Sequence, residues 1–496
     1  MKKIYSIVTL LLVTLFLVAC GGDETNGDVK TIVIDAGGDI GNFISTPTMT
    51  PSDANPFPYN TLETLAREWE ALNKGYKIQI NKTTASGDRS ILVPQLNNKT
   101  APDIVYQNGT VVNMDLGKGY YVALNEYLDK PNPYVEGNLQ WRDIYVKEEL
   151  EQNMASDGEQ YAITLEKIPV GIMYNKNILT AAGVNDIPET YAEFLVALDK
   201  IKQSGKEAYT TTYTWYDIAL ETAMFSDLLP LADVLTVNGK VDTEEFVRAF
   251  DKKLWDPTLN ALGSNTSLEG NRYYEYLKVT KMKTQYYPNN WQSYDGHTNF
   301  VNGNIAMVEV TGAEIRKLSI NKNINFEWGI MPFPDLTTET TQYASRNSVR
   351  GVAGLATPWF ITNSAMEKGT VEGAVDFLMF LTAPQNNNRL IGDLKGGIPL
   401  NPDESTEIAD YLQPLLDIYN EDKEKAINED SRVYWAAVNS WGMLGYAYNT
   451  VFIKSLQDID NGTKTIEQVA LSLAQTIRST VQALKIEYDY DESKWD

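Results

Sequence analysis

A single cysteine, Cys20, and a single histidine, His297, set narrow limits on the chemistry open to this 496-residue chain. One cysteine excludes an intrachain disulfide and a cysteine-built metal cluster. The histidine lies in the polar stretch Asp295-Gly296-His297-Thr298 and reads as a solvated loop residue rather than the base of a nucleophilic triad. A metal-capturing protein would want several His or carboxylate ligands in concert, so neither a metal nor a cofactor is expected. The run Asp458-Ile459-Asp460-Asn461-Gly462 has the outline of a calcium loop. Its glycine, however, stands at loop position five rather than six, and position twelve is Val469 instead of glutamate. It reads better as a turn that ends one helix before Thr465 opens the next. No phosphate-cradling P-loop motif occurs, so any ATPase working with this chain is a separate polypeptide.

Carboxylates and aromatic rings are plentiful instead: 66 Asp and Glu, 29 Tyr and 10 Trp. The formal net charge of −24 argues against a nucleic-acid partner and fits a solvated acidic surface. Aromatic rings pack on the flat C–H faces of sugars, and polar side chains meet the hydroxyls, so this composition suits carbohydrate recognition. A hydrolase of such compounds needs only two carboxylates about 5–10 Å apart, and so many acids keep that rival reading open.

These side chains must be carried by a chain that starts with a secretory pattern. Lys2 and Lys3 precede an apolar run from Ile4 to Val18. A bilayer span needs about 20 apolar residues, so the run reads as the core of a signal peptide. Leu17-Val18-Ala19-Cys20 resembles a bacterial lipobox, which implies cleavage before Cys20 and lipid on its thiol. The polar stretch Gly21 to Asp28 reads as a flexible tether. About 470 residues exceed what one core usually supports, so at least two lobes are expected.

Beyond the tether, Thr31 to Ile34 reads as a buried strand, and Gly37–Pro58 as an irregular Gly/Pro-rich loop. A helix follows over about Thr61–Asn73, with Leu62, Leu65, Ala66, Trp69 and Leu72 on one face. Tyr76, Ile78 and Ile80 alternate as in a half-buried strand. Leu92–Asn98 reads as a helix, Ala101–Tyr106 as a strand, and Ile168–Tyr174 as another. That alternation predicts an α/β domain with a largely parallel sheet, its ligands outside the carboxyl ends of the strands. Thr190 with Glu193, and Thr465 with Gln468, have the spacing of helix-capping boxes. Phe194, Ala197, Leu198 and Ile201 form the inner face of the first of these helices, and Val469, Leu471, Leu473, Ile477 and Val481 the apolar stripe of the second.

Several segments, taken in order, resemble the extracellular solute-binding proteins that include maltose-binding protein. They are Ile32 to Asp39, Ala101-Pro102-Asp103-Ile104-Val105, Tyr161 to Glu166 with Tyr174-Asn175-Lys176, and Ala182-Gly183 followed by Pro188 to Tyr191 and Phe194. Phe300 to Met307 with Gly312, Trp328 to Pro334, Ala374 to Thr382, and Gly396-Gly397-Ile398-Pro399 complete the series. Each is weak alone; their order over most of Thr31–Ala483 is what makes the resemblance specific.

The resemblance implies an α/β, two-lobed periplasmic-binding-protein-like fold with a hinge and a ligand cleft between the lobes. It divides the chain into a signal peptide (1–19), a tether (20–30), lobe 1 (31–163 and 302–350), lobe 2 (164–301 and 351–430), and C-terminal helices (431–496) that complete the lobes. It further implies a non-enzymatic, monomeric receptor, lipid-anchored outside the cell membrane, that hands a carbohydrate to the permease of an ABC importer. Asp35 and Asp39 sit on the loop after the first strand, where a carboxylate can bind adjacent sugar hydroxyls. Gln107 and Asn108 follow the third strand, and Glu166 matches the family's crossover carboxylate. Tyr213, Trp215 and Tyr216 lie where the family places an aromatic of the second lobe, and Trp291 precedes the Phe300 motif. Trp435, Trp441, Tyr446 and Tyr448 fall where the family offers a stacking ring. The stretches 37–58, 237–270 and 335–350 look longer than the family core.

Overall fold

Ile32 and Ile34 are fully buried while Lys30 and Thr31 at the strand's start are exposed, so the run after the tether enters the protein interior within three residues. In the computed structural model, the described residues are 29–36, 60–81, 88–107, 112, 115–151, 154–155, 157–211, 215–225, 235–236, 240–241, 268, 272–344, 350–401, 408–424, 445–487, 491 and 493. The first strand, β1 (Lys30–Asp35), pairs in parallel with β2 (Tyr76–Ile80) and with β3 (Ile104–Tyr106). Next comes β4 (Ala162–Asn175), fourteen residues long and almost wholly buried. After it follow β5 (Glu207–Thr210), the two-residue strands β6 (Leu235–Thr236) and β7 (Lys240–Val241), β8 (Ile305–Thr311), β9 (Trp328–Met331), β10 (Val352–Ile361) and β11 (Ile398–Pro399).

The length of β4 explains how one chain builds two lobes. Its first half pairs with β10 and β11, while its second half, from Val170 onward, pairs with β8 and β9. Lobe 1 therefore has the order β2-β1-β3-β10-β4, and lobe 2 continues from β4 through β8 to β5. Pairing corrects the expected division of the chain. Residues 305–331 belong with lobe 2, because β8 and β9 flank the far half of β4, and β10 belongs with lobe 1, because Phe360 and Ile361 register against Val105 and Ile104. The C-terminal helices Gly445–Asp460 and Ile466–Glu487 pack on lobe 2 through Leu456, Val469, Ala470 and Leu473, rather than completing both lobes.

Helix Thr61–Leu72 buries Leu62, Leu65, Ala66 and Trp69 against lobe 1, and the Trp69 indole donates to Asp376 at 2.7 Å. Leu72, expected on the same face, is exposed because the helix ends there and the chain turns at Asn73. Helix Arg89–Asn97 starts earlier than its apolar pattern, since the Asp88 carboxylate caps the amide of Ser90. The Thr190–Glu193 capping box forms as its spacing requires, and Phe194, Ala197, Leu198 and Ile201 are buried beneath it in helix Tyr191–Gln203. Thr465 and Gln468 likewise exchange hydrogen bonds at the start of the last helix. Its Val469 and Leu473 are buried and Leu471 is half-buried; the side chains of Ile477 and Val481 lie outside the described set. Among the described residues no helix is long and apolar enough to cross a membrane.

Candidate ligand site at the interlobe crossover

Strand direction brings the polar ends of both lobes together. In lobe 1, β1, β2 and β3 are parallel and antiparallel β10 lies between β3 and β4, so β1, β2, β3 and the first half of β4 all run toward the point where β4 leaves the lobe. In lobe 2, β8 is antiparallel to β4 and β5 is parallel to β8, so both run back toward the same point. Asp35, Gln107, Thr210 and Thr311 therefore stand where the carboxyl ends of two sheets face each other. Ligands of open α/β sheets bind at such ends.

Glu166 sits at the crossover itself. Its Oε2 accepts from Arg316 Nη2 at 2.5 Å and its Oε1 from Thr357 Oγ1 at 2.6 Å, with both charged side chains almost fully buried. Arg316 comes from helix Gly312–Ser319 of lobe 2, and Thr357 from β10 of lobe 1. One carboxylate thus joins the lobes at their hinge. Thr357 has φ +57, a left-handed backbone that is unfavourable for a β-branched residue and that tends to be kept where a site needs it. The Gly396-Gly397 motif has its physical reason here. A Cβ on Gly397 would stand 2.2 Å from Glu166 Oε2, and one on Gly396 would stand 2.3 Å from Arg316 Cγ. Tyr106, half-buried at the end of β3, lies close enough to sense this carboxylate: burial first, and then the charge of Glu166, push its phenol up to about 12.

The other sequence-predicted residues divide by place. Asp35 is buried at the end of β1, and Gln107 is buried after β3 with its Nε2 donating to the Tyr106 carbonyl at 3.0 Å. Trp215 is half-buried at the lobe-2 edge of the crossover, opening helix Trp215–Phe225. Tyr216 belongs to the lobe-2 core: its ring stacks on Phe333 with centroids 4.8 Å apart, and its hydroxyl donates to the Pro334 carbonyl. Trp291 packs on Tyr287 and its indole donates to Asp460, which ties it to a C-terminal helix. Tyr446 and Tyr448 fall in the first turns of helix Gly445–Asp460, their side chains outside the described set. Cys20, Asp39, Asn108, Tyr213, Trp435 and Trp441 lie outside the described residues. His297 is not a loop residue: it lies in helix Gly296–Val301, half-buried, with Nε2 3.3 Å from the Glu309 carbonyl oxygen. Asp458 pairs with Lys454 and Lys464, as suits a helix-ending turn, and among the described residues no group of three or more His, Cys, Asp or Glu is placed to hold a metal.

A family model described as bacterial extracellular solute-binding protein matches residues 64–413. The chain belongs to that family. It is 24% identical over 217 residues to the diacetylchitobiose binding protein DasA of Streptomyces coelicolor, a match covering 43% of this chain and 47% of that protein. The matched stretch thus spans about half the length of that relative. Among solved structures, the sugar-binding protein MalE of Xanthomonas citri is 14% identical with a TM-score of 0.58, covering 93% of this chain and all of that one. The apo form of RafE from Streptococcus pneumoniae is 15% identical with a TM-score of 0.57, covering 92% of this chain and 100% of that one. At such identities the structural likeness establishes the two-domain fold.

Tyr106, Thr357 and Arg316 were not singled out from the sequence. The first two are ordinary strand residues by pattern, and Arg316 reads as the basic side chain of an amphipathic helix. The Gly396-Gly397 pair is the one signal in the motif series that could have pointed to a close approach there.

Proposed function

We propose that this protein captures a carbohydrate, an oligosaccharide by preference, between its lobes and delivers it to the permease of an ABC importer. The observation that carries this reading is the convergence of strand ends from both lobes on the crossover that carries Glu166, with Tyr106 ending a strand of lobe 1 and Trp215 opening a helix of lobe 2. Family membership and relatives named for binding chitobiose and other sugars support it. Asp35, Gln107 and Glu166 supply hydrogen-bonding groups for hydroxyls, and the rings supply stacking faces. From the family resemblance, Asp39, Asn108, Tyr213, Trp435, Trp441, Tyr446 and Tyr448 are proposed to complete the site. A ligand that touches both lobes favours the closed form by its differential affinity, and the permease reads that closed form. No bond of the sugar is made or broken.

A thermal-shift screen of the soluble form starting after Cys20, against a panel of oligosaccharides, tests the substrate class. A ligand at a hundredfold excess over its Kd stabilises the native state by about 2.7 kcal/mol, which is a clear rise in unfolding midpoint. The bound sugar should be recovered unchanged. A panel without a single shift, or steady release of reducing ends, would overturn the receptor reading.

Lipid attachment at Cys20 completes the proposal. Replacing Cys20 with Ala should leave uncleaved precursor or protein shed into the medium, measured by membrane fractionation and labelling with a fatty-acid analogue. Unchanged processing and retention of the variant would show that Cys20 is not the anchor.

A further inference from the structure

Glu309, on β8, is completely buried, and the donors described for its side chain are two backbone amides and two hydroxyls. Its Oε1 accepts from the backbone amides of Trp215 at 2.8 Å and Tyr216 at 3.4 Å. Its Oε2 accepts from the Thr211 hydroxyl at 2.8 Å and the Tyr209 phenol at 3.1 Å. Tyr209 lies near the end of β5 and Thr211 directly after it, and Trp215 and Tyr216 begin the helix that follows. The single carboxylate therefore holds the end of β5 and the start of the following helix together, at the lobe-2 side of the crossover.

We infer that Glu309 is the positioning residue for Trp215: by holding the end of β5 and the start of the next helix together it fixes where Trp215 stands, and so the aromatic face offered to ligand. The inference rests on reading the cleft as the carbohydrate site.

The groups that face Glu309 decide how the grip is set. Asp217 comes from the helix that Trp215 opens, and Lys283 and Tyr287 come from helix Arg272–Thr284 and the turn after it. Tyr209 belongs to β5, and His297 approaches the Glu309 carbonyl oxygen from helix Gly296–Val301. Burial, and next the charge of Asp217, raise the Glu309 carboxyl to about 8, while Thr211, Lys283 and Tyr209 pull it down. Ionised, both oxygens accept, and the charge faces the positive end of a helix. Neutral, one oxygen becomes a hydroxyl, so either Thr211 or Tyr209 must turn to receive its proton. Ionisation thus tightens the hold on Trp215. Exchanging a neutral for a charged hydrogen bond is worth about a fivefold change in affinity.

The test uses the soluble form starting after Cys20. Tryptophan emission of the parent minus that of Trp215→Phe is followed, without ligand, from about pH 5.5 to about pH 9.5, and repeated in Glu309→Gln. The amide reproduces the shape of the neutral acid and cannot titrate. The parent signal should move with a midpoint near pH 8, while Glu309→Gln keeps the low-pH signal. For the sugar that binds best, the parent Kd should tighten about fivefold over the same range, and the variant Kd should stay flat. A purely structural cap would lower the melting temperature of Glu309→Gln without changing either pH profile. A flat parent signal, or a Glu309→Gln variant that titrates like the parent, would overturn the inference. The parent titration needs no variant to fold beyond the Trp215→Phe reference. If the Trp215 emission follows pH as expected but no sugar binds, the carbohydrate reading falls while the positioning role stands.

Discussion

Replacing Lys283 with Met should lower the unfolding free energy by about 3–5 kcal/mol, because it leaves Asp217 as an uncompensated charge in the core of lobe 2. Lys283 Nζ lies 2.6 Å from Asp217 Oδ1, with the two side chains 0% and 3% exposed. The same ammonium donates to the Tyr287 hydroxyl at 2.9 Å, and the rings of Tyr216 and Tyr287 lie within 6.0 and 5.3 Å of it. Asp217 and the Tyr287 hydroxyl both meet this cation, and its charge also pulls down the carboxyl of nearby Glu309. Removing Asp217 as well should restore most of the loss, since a buried pair exchanged for apolar groups of like volume is often neutral or better. Urea unfolding of the parent, Lys283→Met and the double variant Lys283→Met/Asp217→Leu gives the comparison. A single variant that loses under about 1 kcal/mol would show that Asp217 carries no buried charge. A double variant no better than the single one would show that packing, not charge, is at stake.

This cluster also marks where reading from sequence stops. In Ile305 to Thr311 only Glu309 and Thr311 interrupt an apolar run, and a lone glutamate is by residue type rarely found fully buried. Every residue of β8 is in fact buried, because the strand lies between β4 and β5 with helices packed over it. Alternation cannot report burial on both faces. The βαβ rhythm of residues 30–106, the capping box at Thr190 and the apolar face over Phe194–Ile201 were legible because each depends on neighbours within one turn or one strand. Assignment of 302–350 was not, since it depends on which half of β4 the strand β8 joins, a long-range pairing that no local pattern records. Glu166 was legible from its position in the motif series. Its partner Arg316 was not, for the two stand 150 residues apart and meet only when the lobes do.

The Glu166–Arg316 pair should separate a hinge role from a ligand role. Arg316→Ala leaves the Glu166 carboxylate at 4% exposure without its guanidinium, and a loss of about 3–5 kcal/mol in stability is expected. Part of that loss should appear at β10, where the bond from Thr357 to Glu166 holds a backbone conformation that costs on the order of 1–3 kcal/mol. The double variant Glu166→Gln/Arg316→Met removes both charges, keeps an acceptor for Thr357, and should regain most of the stability. Affinity should behave differently. If Glu166 also accepts a sugar hydroxyl, the double variant lacks a charge-assisted bond worth roughly 1.5–3 kcal/mol, and its Kd stays at least tenfold weaker although the fold is restored. Calorimetric titration with the best oligosaccharide, run beside urea unfolding on the same samples, reads both quantities. A double variant that binds as tightly as the parent would assign Glu166 to the hinge alone. The ligand carboxylate would then have to be sought on the loop after β1, where Asp35 stands at the strand end and Asp39 follows.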